Sequence, residues 1–482
     1  MPSAVQAVPA KEGAFRAAPS LSAEVYSLPL EGSRYLIYAP RRCAAFIADA
    51  GVVRVLADLE AGLWDESADP DGSLVKFLRS LEILDGPPEI WPVTGCTGDP
   101  QPVCVTLLLT TACNLRCTYC YASAGETPAR HMSLETARRG IDFVVSNARK
   151  QKPPHFEVAY HGGGEPALNW RVLTASFDYA RQKATQTGLG LRTSIATNGV
   201  LTDHRIDWII ANVSAASVSF DGLPAVHDQL RVTKSGKASS HRVIQTLRRF
   251  DQAHFRYGIR MTVTAAGISA LPEWVEFICA NFQPDSIQIE PVYLLGRGHG
   301  EASAESGEFI AAFRAAQQRA LHYGRRIAFS AARLGTLTNH FCAASRDSFC
   351  LTPDGNVTAC YEACSEESPW ASLLFYGWPD GQAGGYRFDL GRLNHLRSQT
   401  VDRREHCRAC FAKWSCGGDC YYKSLVHNGP GEFAGAGRCR IARELTKDQI
   451  LANIAGSGGL FWHNGRQPGC GQSAKLAEEK LP

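Results

Sequence analysis

Between residues 103 and 330, six short apolar runs recur at helix-length intervals, and no other feature restricts the fold as much. The runs lie at 103–110, 155–160, 191–196, 216–220, 257–264 and 286–290. Stretches with helical periodicity fall between them, near 133–149, 170–187, 203–211, 239–253 and 271–282, with another near 305–323. Apolar strands joined by spacers long enough to cross back form a parallel sheet with crossover helices. Six repeats predict an α/β fold, a partial (β/α)6 TIM-like barrel whose reactive groups sit on loops at the strand C-terminal ends.

The motifs fall at those ends. After the first run comes Cys113-Asn-Leu-Arg-Cys117-Thr-Tyr119-Cys120, and the chain holds 17 cysteines in all. Nothing at the N-terminus reads as a secretory signal, and no apolar stretch reaches the ~18 residues of a membrane span. The chain is therefore expected in the cytoplasm, where cysteines are kept for metal or redox chemistry rather than for disulfides. Iron–sulfur clusters normally take four thiolates. Three at this spacing can wrap one [4Fe–4S] cube and leave an iron open. A zinc site would need a fourth ligand, and no His or further Cys stands on the same loop.

A second array, Cys407, Cys410, Cys416 and Cys420, is followed by Cys439, with Cys342, Cys350, Cys360 and Cys364 upstream. This region is rich in Cys, Gly, Asp and aromatics and poor in apolar periodicity, so metal ligation is expected to stabilise it. The formal net charge of +3 is too small to argue for nucleic acid or an acidic membrane surface. With 45% hydrophobic and 20% charged residues, the chain can bury two or three ordinary cores.

The domain expectation follows. Residues 1–30 read as a flexible arm, and 31–95 as a small winged-helix-like peptide-recognition domain with two short strands and two helices. Residues 100–330 form the barrel, 331–445 the cysteine-rich domain, and 446–482 a C-terminal helix and flexible tail.

The first motif and the barrel together resemble the radical S-adenosylmethionine superfamily. The resemblance implies that Cys113, Cys117 and Cys120 hold the cluster, and that S-adenosylmethionine chelates the open iron and yields a 5′-deoxyadenosyl radical. Strand ends similar to the superfamily's cofactor-binding segments supply Tyr119, Gly163, Gly164, Glu165, Thr197, Asn198, Ser219, Asp221, Arg231, Gln288 and Glu290. Arg231 is the expected partner of the methionine carboxylate.

The second array resembles the SPASM extension of radical enzymes that modify peptides and proteins. That resemblance implies two auxiliary [4Fe–4S] clusters, three in all. Cys342, Cys360, Cys420 and Cys350 would hold one (Cys364 competing for the last place), and Cys407, Cys410, Cys416 and Cys439 the other.

The expected function is modification of a ribosomally made peptide or protein, forming a thioether, ether or carbon–carbon cross-link. Flavodoxin or ferredoxin is the expected reductant, and Tyr361 and Glu362 are candidates for the catalytic base. Maturation of an amine dehydrogenase subunit lies within this reading. The alternatives are formylglycine formation in sulfatases and a non-catalytic zinc-binding module. The sulfatase-maturating subfamily carries an acidic residue directly after the position of Cys360, where this chain has Tyr361.

Overall fold

The first short strands, Tyr26–Pro29 (β1), Tyr35–Ala39 (β2) and Ala44–Ala48 (β3), pair antiparallel in that order. Their structure comes from a computed structural model, which describes residues 20–464 except 66, 68, 90, 93–95, 382–384, 431, 432, 434 and 436. Most of the expected arm, residues 1–19, and the end of the expected tail, 465–482 with Cys470, lie outside the described residues.

Two units are distinguished, one running to Trp91 and including the stretch from Ile450, the other spanning Pro92–Gln449. In the first, Leu36, Ile37 and Phe46 are buried with Val55, Leu56, Leu59 and Leu78 from helices α1 (Ala50–Glu60) and α2 (Ser73–Ser80). Asp49 starts α1 by accepting from Val52 N–H at 3.1 Å. Residues 26–29, expected within the arm, are a strand. Half-buried Tyr26 and Leu28 alternate with exposed Ser27 and Pro29, a two-residue period too short to stand out of the Pro- and Ala-rich background.

The second unit holds the barrel, and here the expected α/β fold is borne out. Strands β4 (Cys104–Leu108), β5 (His155–His161), β6 (Gly190–Thr197), β7 (Ala215–Ser219), β8 (Tyr257–Val263) and β9 (Ile287–Pro291) lie parallel in sequence order. Between them run α3 (Leu134–Gln151), α4 (Trp170–Thr187), α5 (Asp203–Asn212), α6 (Pro224–Leu230), α7 (Ser240–Gln252) and α8 (Leu271–Asn281), with α9 (Ser306–His322) after β9. Val105, Leu107, Phe156, Val158, Ile195, Val218, Ile259, Met261, Ile287 and Ile289 are fully buried, as strands covered by crossover helices should be. Helix α6 is unforeseen, because its two turns carry too little periodicity, although Pro224 at its start is a helix-entry signal.

The sheet continues on both sides. A two-residue strand β10 (Ile327–Ala328) adds to β9. On the other side β11 (Cys350–Leu351) lies parallel to β4, with Cys350 opposite Thr106 and Leu351 opposite Leu107. Beyond it come β12 (Val357–Thr358), β13 (Phe375–Pro379) and β14 (Tyr386–Phe388), all antiparallel. Short helices α10 (Ala371–Leu374), α11 (Leu390–Arg397), α12 (Lys413–Cys416) and α13 (Tyr421–Asn428) carry the remaining cysteine-rich segment into α14 (Gly437–Gly456). The expected flexible tail begins instead with a strand, β15 (Phe461–His463), which pairs antiparallel with β3. Phe461 and Trp462 give it the aromatic content strands favour, after a glycine run that hid it. Among the described residues no helix is long and apolar enough to cross a membrane.

Candidate active site and cysteine centres

The loop leaving β4 is pinned from several sides. Arg116 N–H donates to Val232 C=O at 2.7 Å, and Thr118 N–H to Leu230 C=O at 2.9 Å. Arg297 donates from its side chain to Cys117 C=O at 2.8 Å and from its backbone to Cys120 C=O at 3.0 Å. Gly296 permits that grip: its φ is +54°, and a Cβ there would stand 2.4 Å from Cys120 C=O. The loop therefore holds Cys113, Cys117 and Cys120 within electrostatic reach of one another. Burial pushes the Cys113 thiol up to about 12 and the Cys117 thiol up to about 11. Thiolates persist at neutral pH in such a place only when a cation faces them, and a cationic iron centre supplies that charge. The donor set thus fits an iron–sulfur cluster. Among the described residues no three His, Cys, Asp or Glu side chains converge tightly enough for a single metal ion.

The loop after β5 presses against this one. Gly164 N–H donates to Thr110 C=O at 3.1 Å, Glu165 N–H to Ala112 C=O at 2.8 Å, and a Cβ on Gly164 would lie 1.9 Å from Ala112 C=O. Gly163 leaves room for the Cys364 sulfur, which a Cβ would meet at 2.7 Å. Glu165 is buried and accepts from Ala167 N–H (3.1 Å), the Thr197 hydroxyl (2.9 Å) and Asn198 N–H (2.8 Å), locking the ends of β5 and β6 together. Burial raises its pKa even so. The Asn198 amide donates to Asn114 Oδ1 at 2.7 Å and approaches Cys113 Sγ at 3.7 Å. Ser219 is half-buried at the end of β7.

Beyond β7, Asp221 is fully buried and accepts from Arg231 Nε at 2.6 Å and Nη2 at 3.2 Å, from Thr262 N–H at 3.0 Å and from the Tyr119 hydroxyl. Arg231 is thus paired with Asp221, where a ligand carboxylate was the expected partner. An anion one loop away is closer than any ligand need be, and a guanidinium cannot stay buried unpaired. The Asp221–Arg231–Tyr119 block stands beside Cys117.

Gln288 and Glu290 have partners within the protein. Gln288 donates to Glu290 at 3.0 Å, and Glu290 accepts from Ser330 N–H at 3.0 Å and from Arg438 Nη1 at 2.7 Å. Arg438 in turn clasps Asp419 at 3.0 and 3.2 Å. Burial pushes the Glu290 carboxyl up, but Arg438, Lys423 and Arg260 outweigh it and hold it well below the usual range. This carboxylate ties the barrel to the cysteine-rich segment.

In that segment Cys342, Cys360 and Cys420 share one electrostatic neighbourhood, and Glu362 stands among them. Cys350 has Cys342 within reach, whereas Cys364 faces Cys120. Cys407 neighbours Cys410 and Cys439, and Cys416 neighbours Cys439. Arg333 bridges the surroundings of both groups, donating to the carbonyls of Phe341 and Cys416 at 2.8 Å each and of Ser415 at 3.2 Å.

Tyr361 stacks on His161 at the end of β5, with ring centroids 4.4 Å apart. Glu362 keeps Oε2 buried with no hydrogen-bond partner. Arg260 of β8 lies near Tyr361, Glu362 and Tyr121. Arg260, Arg333 and Arg438 belong to no motif, and their partners stand far away in sequence. No signal could have singled them out.

Residues 107–273 match the Radical SAM superfamily. The sporulation killing factor maturation protein SkfB of Bacillus subtilis is 24% identical over 274 residues, 56% of this chain and 62% of SkfB. Across the curated relatives SkfB and an uncharacterised Methanocaldococcus jannaschii protein, the chain spans about three fifths of their length (62% and 57%). Among solved structures, anSMEcpe with bound AdoMet superposes with TM-score 0.58 at 16% identity, over 78% of this chain and 98% of that one. Streptococcus suis SuiB bound to precursor peptide SuiA gives 0.51 at 12%, over 87% and 99%. These two likenesses are of fold. Three half-buried thiols on the first strand-end loop, and a glycine loop pressed against them, lie inside the matched stretch: residues 107–273 of this chain are a Radical SAM domain.

Proposed function

We propose that this enzyme modifies a peptide or protein after translation, forming a thioether, ether or carbon–carbon cross-link. The single observation that carries the reading is Glu362. It is an unpartnered buried carboxylate oxygen between the Cys342–Cys360–Cys420 group and the barrel residues Tyr121 and Arg260. A relative named for maturing a killing factor, and a structural neighbour bound to a precursor peptide, support a peptide as the substrate.

Cys113, Cys117 and Cys120 would hold the first [4Fe–4S] cluster, with S-adenosylmethionine on its open iron. Two auxiliary clusters would take Cys342, Cys350, Cys360 and Cys420, and Cys407, Cys410, Cys416 and Cys439. When bound, these groups supply a 5′-deoxyadenosyl radical and one-electron chemistry.

The chain's own residues do the rest. The Gly163–Gly164 backbone gives close approach, while Glu165, Thr197 and Asn198 hold the strand ends rigid. The Tyr119–Asp221–Arg231 block fixes the wall beside Cys117. Glu362 Oε2 accepts the proton that the substrate group loses as the new bond forms, and Tyr361, braced by His161, limits water around it. Residues 31–95 would recognise the peptide. The enzyme would work in the cytoplasm with flavodoxin or ferredoxin as reductant, and without nucleic acid or membrane.

Anaerobically reconstituted protein should carry about twelve irons per chain. It should release 5′-deoxyadenosine when reduced, and Cys117→Ala should stop that release. Four irons, or release unaffected by Cys117→Ala, would refute the assignment. For catalysis, Glu362→Gln should leave deoxyadenosine release intact while cross-linked product, read as a loss of about two hydrogens by mass spectrometry, falls roughly a hundredfold or more.

A further inference from the structure

The free edge that β3 would otherwise present is occupied by the chain itself. In β15, Phe461 stands opposite Phe46, Trp462 opposite Ala45 and His463 opposite Ala44. Ile47 N–H donates to Leu460 C=O at 2.9 Å, and Asn464 N–H to Cys43 C=O at 3.1 Å. The Phe461 ring meets Phe77 edge-on at 5.7 Å, and Phe77 meets Phe46 the same way at 5.1 Å.

The grip is slight. The strand has three residues, Leu460 is 72% exposed and Phe461 44%. It hangs from α14 by Ser457, Gly458 and Gly459, where the glycines take φ of +107° and +94° with open space around them. Such a joint is easily re-formed in other conformations. The opposite edge is worse suited to a partner, because β1 ends in Pro29, which has no N–H to donate.

We propose that residues 460–464 are a built-in occupant of the β3 edge, a regulatory segment which an extended substrate peptide must displace from the peptide-recognition unit. The inference rests on the reading that the substrate is a peptide. The seated segment defines the ligand's chemistry: an extended stretch, antiparallel to β3, with an aromatic or large apolar side chain where Phe461 meets Phe77. An edge occupied most of the time lowers apparent affinity by the fraction of time it is free. The tail thus sets a threshold that only a well-matched peptide exceeds.

The test uses a fluorescein-labelled peptide of residues 457–464, titrated into the cluster-loaded full chain and into a chain ending at Gly456. Affinity should be about tenfold higher for the shortened chain. A peptide with Asp in place of Phe461 should not bind, and S-adenosylmethionine cleavage without peptide should be equal in both chains. The full chain carrying Phe461→Asp should bind the wild-type peptide as the shortened chain does, which guards against a truncation that fails to fold. Equal binding to wild-type and shortened chains, or no binding to a folded shortened chain, would overturn the proposal. So would a shortened chain that self-associates without taking up peptide, since the tail would then only blunt an edge. Loss of radical chemistry with peptide binding intact would count against the proposed function and leave the built-in occupant standing.

Discussion

The barrel and the cysteine-rich segment share one sheet but are stabilised by different means. Barrel strands run five to eight residues, and most of their large apolar side chains are fully buried against crossover helices. Beyond β4 the strands shrink to between two and five residues. There, arginines tie loops together: Arg333 to three carbonyls, Arg438 to Glu290 and Asp419, and Arg397 to Asp347 at 2.7 Å and Gly98 C=O at 2.8 Å. A core built by burial needs no metal. With the proposed clusters in place, a segment organised around grouped thiols and guanidinium ties would depend on the metal they hold.

The largest test of that contrast is Cys416→Ala. It should remove about four irons and abolish product. The barrel's far-UV signal and reductive cleavage of S-adenosylmethionine should persist, and their joint loss would merge the two regions into one metal-dependent unit.

Next comes the tie itself. Glu290→Ala leaves Arg438 with Asp419 and the Ser330 hydroxyl, and breaking a buried pair of this kind costs about 3–5 kcal/mol, measurable by urea denaturation. A cost below ~1 kcal/mol would mean that the arginine readily finds other partners.

A smaller effect belongs to the barrel alone. His227 stacks on Phe220 at 4.8 Å, takes Asp221 N–H on Nδ1 at 3.3 Å, and has Nε2 buried without a partner. Burial lowers its pKa to about 4, so the folded state keeps it neutral while the unfolded state protonates near its ordinary value. Its contribution is therefore fully present above about pH 6.5 and is lost as pH falls toward 4, worth on the order of 1–3 kcal/mol. In His227→Gln the stability lost between pH 7 and 5 should shrink by that amount. An unchanged pH slope would remove His227 from the account.

The smallest effect is expected at the surface. Arg314, 45% exposed, pairs with Asp448 at 2.6 Å and Glu444 at 2.8 Å, and Arg314→Ala should cost no more than about 1 kcal/mol.

The sequence made the barrel legible because its two periodicities alternate over long stretches. Asp49 marks a helix start through local chemistry that a reader can apply directly, whereas Pro224 alone, without periodicity behind it, does not reveal α6. Strands β1 and β15 escape that reading. Each is too short to show a period, and each exists because β2 or β3 offers it a partner.

Within the site, cysteine spacing gave the candidate ligands, since a loop that wraps a cluster constrains offsets along the chain. Polar residues at strand ends were harder. Glu290 and Gln288 stand at the strand end where nucleotide contacts are expected, and Arg438, 148 positions away, pairs with the carboxylate. Arg231 likewise finds Asp221. Pairing through space leaves no trace in spacing, so the same residue types read equally well as ligand contacts or as internal struts.

The seam between β4 and β11 carries one more consequence. Cys350 sits opposite Thr106 on the strand that runs into the Cys113 loop, so main-chain hydrogen bonds, rather than flexible side chains, set how far that thiol stands from the first centre. Slipping the pairing by one position would swing Cys350 to the other side of the sheet. The outer loops can therefore differ in length without moving this thiol, while the two-residue splice behaves as a fixed ruler between one cysteine neighbourhood and the next.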